Sequence, residues 1–209
     1  QRGRDLPVAG WADTPNCVSG VAFLDAFNKG AMQVTAEKVL CIGGGDTSID
    51  VVSVARRLGK VEQLHEKDRP EEVIGGYTAH DAAMAAAREG AQVTLTALFD
   101  RPEMTATEEE VDDALTEGVT ILNGVMPIAL IKGDTGRAKG LRLAKCEIDE
   151  KGLPKPIDGT EFEVEADLIV SAIGQAGDLT GIEEMGNEHR LINADRYFQV
   201  PDRPGHFVA

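Results

Sequence analysis

Apolar residues along the chain form short continuous runs that are separated by stretches with helical periodicity. The runs at 38–42, 91–99 and 119–122 predict buried strands, and the run at 167–174 predicts another. Continuous apolar runs are typical of strands that are covered on both faces of a parallel sheet. The pattern therefore predicts a parallel sheet at the centre of an α/β domain.

Four other stretches predict helices, over 21–28, 46–58, 78–89 and 105–118. Apolar residues at helical spacing indicate the second of these, a capping threonine the third, and an acidic first turn the fourth. Strands that alternate with helices favour a Rossmann-like parallel sheet with helices on both faces. The helix at 78–89 falls within residues 61–90, whose polar, Pro- and Gly-broken first half indicates an insertion.

Residues 125–166 show a different pattern, in which apolar and polar residues alternate. Turn signals at 133–136 and 151–159 divide this stretch into three segments. It therefore predicts a three-stranded antiparallel meander beside the parallel sheet.

The composition narrows the choice of partners. The chain has 209 residues, a net charge of −15 and 4% aromatic residues. Such an acidic surface repels phosphate backbones and anionic membranes, and few aromatic rings are available to stack on single strands. No apolar stretch approaches the roughly 18 residues of a membrane span and no signal peptide opens the chain, so we expect a cytoplasmic protein without nucleic-acid or membrane partners.

The cysteines offer no obvious chemistry. Cys17, Cys41 and Cys146 lie far apart and form no C-x-x-C pair, so a metal cluster, a redox dithiol and a disulfide framework are not expected. Cys41 falls inside the first apolar run and is predicted to be a small buried residue. The sequence predicts no metal ligand and no catalytic side chain.

A glycine-rich turn between the first strand and the following helix is the strongest functional signal. It fits G-x-G-x-x-[G/A] with serine last, through Gly43, Gly44, Gly45, Asp46, Thr47 and Ser48. The first glycine allows a sharp turn, the second lets the backbone approach a diphosphate, and the last position must be small for helix and strand to pack. Because helix N–H groups then face the phosphate oxygens, the turn predicts a dinucleotide site. A tight turn without a ligand is the alternative.

Two acidic residues near this turn are open to more than one interpretation. Asp46 is predicted to cap the helix, although its carboxylate would also face a ribose or a nicotinamide. Asp50 lies one turn into the helix and either orients the turn or faces solvent.

The stretch "GGGDTSIDVVSVARRLG" resembles the second, pyridine-nucleotide-binding domain of two-dinucleotide flavoproteins of the glutamate synthase small-subunit type. "RPEM" at 101–104, "EEEVDDALTEGVTIL" at 108–122 and "ADLIVSAIGQ" at 166–175 follow in the family's order, and the opening "RGRDLPVAG" is similar to the linker that enters this domain. The uninterrupted glycine segment, the insertion and "DLIVSAIGQAGD" together most resemble the iron–sulfur flavoprotein branch associated with dissimilatory sulfite reductase.

This resemblance implies one domain of a longer polypeptide. Residues 38–175, including the insertion, would bind NAD(P)H, and residues 1–37 and 176–209 would connect to an FAD domain. FAD and iron–sulfur clusters would lie on absent parts of the full-length protein, and electrons would leave to a subunit of the glutamate synthase large-subunit or sulfite reductase type. The fragment alone is expected to be inactive.

The resemblance also implies which residues distinguish the nicotinamide cofactors. NADPH-using relatives carry two adjacent arginines where this chain has Leu98 and Phe99, followed by Asp100 and Arg101. A carboxylate accepts a bond from the 2′-OH of NAD, whereas arginine binds the 2′-phosphate of NADP, so NAD(H) is favoured and Arg101 keeps NADP(H) open. Glu66, which lies 21 residues after Gly45, is a competing position for the carboxylate.

The resemblance implies hydride transfer between nicotinamide C4 and flavin N5, for which the protein supplies position. The backbone of Ala172, Ile173 and Gly174 is expected to lie beside the nicotinamide half, with Gln175 touching the carboxamide, because ligands of doubly wound sheets lie at the carboxyl ends of the strands. A plain strand end is the alternative there. Two other functions stay open: a docking domain that has lost its ligand, and an S-adenosylmethionine-dependent methyltransferase.

Overall fold

The computed structural model describes residues 2–30, 36–56, 91–188, 191–201 and 203–208. The predicted helix at 78–89, the rest of the 61–90 insertion and Glu66 lie outside these residues. The chain divides into two compact units, a larger one of residues 3–174 and a smaller one of residues 1–2 and 175–209.

The described residues contain eleven strands and three α-helices. The strands are β1 (Arg2–Gly3), β2 (Cys17–Ser19), β3 (Lys38–Ile42), β4 (Gln92–Thr96), β5 (Thr120–Leu122), β6 (Val125–Lys132), β7 (Ala138–Ile148), β8 (Pro154–Pro156), β9 (Phe162–Glu165), β10 (Leu168–Ser171) and β11 (Gln175–Ala176). The helices are α1 (Gly20–Asn28), α2 (Asp46–Ala55) and α3 (Glu108–Thr116), and 3-10 turns occupy Arg101–Glu103 and Glu183–Met185.

A five-stranded parallel sheet forms the centre of the larger unit, in the order β2–β10–β3–β4–β5. The central strand β3 places Cys41 between Val170 of β10 and Leu95 of β4. Because the strands are parallel, their carboxyl ends share one edge of the sheet, and the glycine turn lies at that edge. The predicted parallel Rossmann-like sheet is confirmed.

All three described helices pack on one face of this sheet. Phe23 of α1, Val52 of α2 and Val111 of α3 join Val93 and Val170 of the strands in one buried cluster. These side chains account for the apolar periodicity in the sequence, because each helix turns one stripe toward the strands.

The antiparallel sheet covers the opposite face, which the sequence pattern assigned to helices. Leu40 and Ile169 point to this face and pack against Leu141 and Leu143 of β7. Trp11 closes the same cluster and is only 4% exposed. In the described residues the parallel sheet is therefore covered by helices on one side and by strands on the other.

The predicted meander is three strands wide, but its third strand is broken. β6 pairs along one edge of β7, while β8 pairs with residues 146–148 and β9 with residues 140–143. The pairing register differs between β8 and β9, so the loop between them makes the break. Glycine is needed at position 140 because an added Cβ would clash with the Val164 carbonyl oxygen of the neighbouring strand β9.

The first 37 residues contribute more structure than the sequence pattern indicated. β2 pairs with β10, so Cys17–Ser19 forms an edge of the parallel sheet. α1 starts at Gly20, one residue before the predicted helix, and Ser19 caps it by accepting the Ala22 N–H. Strand β2 was missed because only three residues form it and its partners lie about 150 residues away.

Asn16, directly before β2, connects the two sheets. Its side-chain amide donates to the carbonyl oxygens of Ala138 and Asp167 at 2.9 and 2.8 Å, and its side-chain oxygen accepts the Ala138 N–H at 2.8 Å. Its own carbonyl accepts the Ile169 N–H. Asn16 is 3% exposed, so these bonds are shielded from water.

Helix α3 begins with a complete capping box. Thr107 accepts the Glu110 N–H, and the Glu110 carboxylate accepts the Thr107 N–H at 2.9 Å. The predicted helix started three residues earlier, at 105, because the acidic run alone does not mark the cap. These bonds to Thr107 lower the pKa of Glu110.

Replacing Thr107 with alanine should lower the free energy of unfolding by about 1 kcal/mol at neutral pH, because an orphan helix N–H loses its acceptor. A carboxyl group whose folded-state pKa is lowered stabilises the fold above its ordinary pKa and loses this effect as the pH falls through the lowered value. The difference between Thr107→Ala and wild type in urea unfolding should therefore shrink in acid. Thr135→Ala, in the exposed turn between β6 and β7, is the control. A difference that grows on acidification would contradict this role for Glu110.

The smaller unit consists mainly of turns. Within its described residues, Gly186 bridges to Ile192 and Gln199 bridges to Phe207. Phe198 has a φ of 65°, which non-glycine residues rarely adopt. The connection of this smaller unit to an FAD domain stays a prediction.

Candidate functional site

Helix α2 begins without a side chain that caps its first N–H groups. Gly45 is the N-cap residue, and no side chain of the described residues caps this helix, whereas Ser19 and Thr107 cap α1 and α3. The Ser48 N–H donates to the Gly45 carbonyl at 2.8 Å. The N–H groups of Asp46 and Thr47, which come earlier in the first turn, have no intrahelical acceptor. They therefore form a donor set for an anion at the end of β3.

Gly43 brings this turn against the end of β10. Its N–H donates to the Thr96 carbonyl at 2.9 Å, and the Ala172 N–H donates to the Ile42 carbonyl at 2.7 Å. A Cβ on Gly43 would meet the Ala172 carbonyl oxygen, and its φ of 150° is one that residues with side chains rarely adopt. Glycine is therefore required where the two strand ends converge.

The segment after β4 closes the other side of the turn. The Gly44 carbonyl accepts the N–H groups of Thr105 and Ala106 at 3.0 and 3.1 Å. A Cβ on Gly44 would lie 3.3 Å from the Cβ of Ala97, and one on Gly45 would lie 2.9 Å from Thr105 Oγ1. The glycines thus let this segment approach the backbone closely, and Thr105 joins the site without having been predicted.

Ser48 fills the third small position of the motif. It is fully buried, and its hydroxyl donates to the Gly45 carbonyl at 2.5 Å. Its carbonyl accepts the Cys41 thiol at 3.8 Å. Serine therefore fits between α2 and β3, and its hydroxyl closes the turn from inside. The Thr47 methyl lies against Gly20 of α1.

Asp46 does not cap α2, contrary to the more favoured interpretation of the sequence. It is the first helical residue, after the N-cap Gly45, and it is exposed. Partial desolvation, with the nearby carboxylates of Glu110 and Asp46, raises the pKa of Asp50. These acidic groups oppose an anion, so the donors of the turn must act at contact range.

Asp100 and Arg101 lie in the segment after β4, the strand next to β3. Asp100 is exposed and its Oδ1 lies 3.8 Å from a Cβ built on Gly124. Arg101 pairs with Asp112 of α3, and its Nη2 lies 2.5 Å from Asp112 Oδ1. Both residues are thus at the carboxyl edge of the sheet, where the sequence placed them.

The residues predicted beside the nicotinamide divide between the two units. Ala172 contacts Gly43 through its backbone, and the Ile173 side chain packs against the cluster on the antiparallel face. Gly174 is exposed with a φ of 99°, and its carbonyl accepts the Arg4 N–H. Gln175 is exposed and begins β11 in the smaller unit, so its contact with a carboxamide stays a prediction.

The cysteines are unpaired, and Cys41 is fully buried as predicted. Burial raises the pKa of the Cys17 thiol to about 11 and raises that of Cys41 as well, so both thiols are protonated at neutral pH. Among the described residues, no group of three or more His, Cys, Asp or Glu side chains is arranged to hold a metal ion. No described helix has the length and apolar character needed to cross a membrane.

Comparison with known proteins provides independent information. The family model described as pyridine nucleotide-disulphide oxidoreductase matches residues 61–209. The match begins after the glycine turn, so the role of the turn rests on its geometry.

Curated relatives include subunits of larger oxidoreductases. The beta subunit of the NADP(+)-dependent formate dehydrogenase of Moorella thermoacetica is 39% identical over 145 residues, 65% of this chain and 20% of that protein. The beta subunit of the NADPH-Fe(3+) oxidoreductase of Geobacter sulfurreducens is 32% identical over 170 residues, 79% of this chain and 21% of that protein. The small chain of the NADPH glutamate synthase of Azospirillum brasilense is 26% identical over 178 residues, 82% and 30% of the two chains. The chain thus spans less than a third of each relative.

The thioredoxin reductase of T. acidophilum has a similar fold. Its crystal structure matches with a TM-score of 0.59 and 13% identity, covering 98% of this chain and 52% of that chain. This likeness supports the parallel-sheet fold described above.

Proposed function

Because the chain belongs to the pyridine nucleotide-disulphide oxidoreductase family, we propose that its parallel sheet binds a nicotinamide dinucleotide with the diphosphate on the Gly43–Ser48 turn. The observation that carries this proposal is the uncapped start of α2, where no side chain of the described residues accepts a bond from the N–H groups of Asp46 and Thr47. Backbone donors at a helix start bind phosphate oxygens without a charged side chain. The close packing of Gly43 on Ala172 leaves no room for a side chain at this position and fixes the course of the turn.

The chain's own residues would bind and orient the cofactor. The turn holds the diphosphate, the segment with Asp100 and Arg101 faces the adenine ribose, and the backbone of Ala172 and Gly174 borders the nicotinamide half. The reduced nicotinamide supplies a hydride. In this proposal the protein contributes position, and no side chain transfers a proton.

We place the hydride acceptor, FAD, on other parts of a longer polypeptide. The lengths of the three relatives support this, because the region that matches this chain makes up less than a third of each of them. Iron–sulfur clusters, an electron-acceptor subunit and the sulfite reductase-associated branch belong to the same proposal and rest on the sequence resemblance.

The identity of the nicotinamide cofactor is not decided by the family. The names of the three relatives refer to NADP(+) or NADPH, which does not favour NAD(H) over NADP(H) for this chain. Asp100 favours NAD(H), and Arg101 supplies a cation for a 2′-phosphate. We therefore propose binding of NAD(P)(H), with selectivity set in the segment after β4.

The full-length polypeptide should bind and oxidise NADH or NADPH, and Asp100→Arg should shift its selectivity toward NADPH by about 10-fold, because a cation replaces a carboxylate at the ribose. The measurement is fluorescence titration with each nucleotide, together with nucleotide oxidation using an artificial electron acceptor. Glu103→Arg, the same charge change three residues away, is the control.

Failure to bind either nucleotide would favour the docking domain. The family match argues against the methyltransferase alternative, and binding of S-adenosylmethionine would revive it.

A further inference from the structure

The guanidinium of Arg101 is already engaged by a neighbouring helix. Its Nη2 lies 2.5 Å from Oδ1 of Asp112, which is in the second turn of α3. The side chains are 39% and 61% exposed, so the pair lies in contact with solvent. An exposed ion pair of this kind is weak, and an anion of higher charge can compete for the guanidinium.

The pair uses only part of the hydrogen-bonding capacity of Arg101. An arginine side chain carries five N–H donors. The Nε atom of Arg101 is buried, and it has no acceptor among the described residues. The present arrangement therefore leaves a buried donor unsatisfied, and a second acceptor group would stabilise a different orientation of the side chain.

The backbone that carries Arg101 is fixed, so a change of partner would involve the side chain alone. Asn123, which follows β5, donates from its side-chain amide to the Phe99 carbonyl at 2.9 Å and lies 3.3 Å from the Met104 sulfur. The 3-10 turn is closed by the bond from the Glu103 N–H to the Asp100 carbonyl. Both sides of Arg101 are thus anchored beside the glycine turn.

We propose that Asp112 is a specificity-determining residue, which competes with the 2′-phosphate of NADP(H) for the Arg101 guanidinium. This inference rests on the proposed function. In NAD(H) complexes Arg101 stays on Asp112, because the ribose offers only a neutral hydroxyl. A 2′-phosphate must draw the guanidinium from Asp112 and approach the Asp112 carboxylate, so the pair lowers the affinity for NADP(H) while leaving the site able to accept it.

The test compares two ligands that differ only by the 2′-phosphate, adenosine 5′-monophosphate and adenosine 2′,5′-bisphosphate, on the full-length polypeptide. Asp112→Asn should strengthen binding of the bisphosphate by about 2- to 5-fold and leave the monophosphate within error. Arg101→Ala should weaken binding of the bisphosphate, and adding Asp112→Asn to it should have no further effect. The ratio of KM values for NADPH and NADH should shift in the same direction.

Glu109→Gln, which removes the same charge from the same helix, is the matched control. An equal gain from Glu109→Gln and Asp112→Asn would overturn the inference, because general charge would then explain it. Unchanged bisphosphate affinity in Asp112→Asn would also overturn it, while nucleotide binding by the wild type would leave the proposed function standing. If the wild type bound neither NADH nor NADPH, the proposed function itself would be wrong.

Discussion

Gly43→Ala is expected to weaken binding of NADH and NADPH by about 100-fold or more and to lower the free energy of unfolding by about 2–4 kcal/mol. The added methyl group would meet the Ala172 carbonyl oxygen, and the φ of 150° is unfavourable for alanine. Since Ala172 is held by its bond to Ile42, the glycine turn must move. Its first-turn N–H groups would then lose their alignment with the diphosphate.

Gly136→Ala is the matched control for this variant. Gly136 also has a positive φ, 76°, but none of the described residues has an atom within 4 Å of the added Cβ. It should lower the free energy of unfolding by about 1 kcal/mol and leave nucleotide affinity unchanged, because the β6–β7 turn is remote from the site. Nucleotide titration and urea unfolding of both variants separate the effect of backbone strain, which both share, from that of the steric clash, which occurs only in Gly43→Ala. Wild-type affinity in Gly43→Ala would contradict the assignment of the diphosphate to this turn.

Asn16→Ala is expected to lower the free energy of unfolding by about 3–5 kcal/mol. The change removes three side-chain hydrogen bonds and leaves the N–H and carbonyl of Ala138 and the carbonyl of Asp167 without this partner. An unsatisfied buried polar group costs about 1–3 kcal/mol, and the lost volume adds to this. Urea unfolding followed by circular dichroism would measure the effect.

Two further variants define the cause of this loss. Asn16→Asp keeps the shape and the acceptor for Ala138 but faces two carbonyl oxygens with a carboxylate, so it should destabilise at least as strongly. Asn28→Ala, at the exposed end of α1, should change the free energy of unfolding by less than about 0.5 kcal/mol. A cost below 1 kcal/mol for Asn16→Ala would show that Asn16 does not hold the two sheets together.

The elements that the sequence predicted well are those whose signals are local. β3 has the predicted bounds, because its four apolar residues are followed at once by glycines and are buried on both faces. The start of α2 at Asp46 was also predicted correctly, because it directly follows the three glycines. β4 is shorter than the predicted 91–99 strand, because the chain turns away after Thr96 to approach Gly44.

The elements that the sequence did not predict depend on distant partners. β2 becomes a strand through its pairing with β10. The second face of the parallel sheet is covered by the antiparallel strands, and not by helices that a local pattern could predict. The 3-10 turn at Arg101–Glu103 depends on anchors from Asn123 that lie about twenty residues away. No short-range pattern carries such information.

The candidate site shows the same division. The glycine motif could be recognised because turn, helix start and small residue are adjacent in sequence. The pairing of Arg101 with Asp112 and the closure by Thr105 required the segment after β4 to fold back on the turn. The sequence therefore indicated Arg101 as a cation for a 2′-phosphate but could not predict its ion pair with Asp112.

The position of Trp11 makes it a probe for unfolding and for nucleotide binding. It is the sole tryptophan of the sequence, and it is buried between the parallel sheet and the antiparallel sheet. Its emission should shift to longer wavelength when the two sheets separate, and it should be quenched by energy transfer to a reduced nicotinamide bound nearby. One intrinsic fluorophore would thus report both on cohesion of the fold and on occupancy of the site, without an added label.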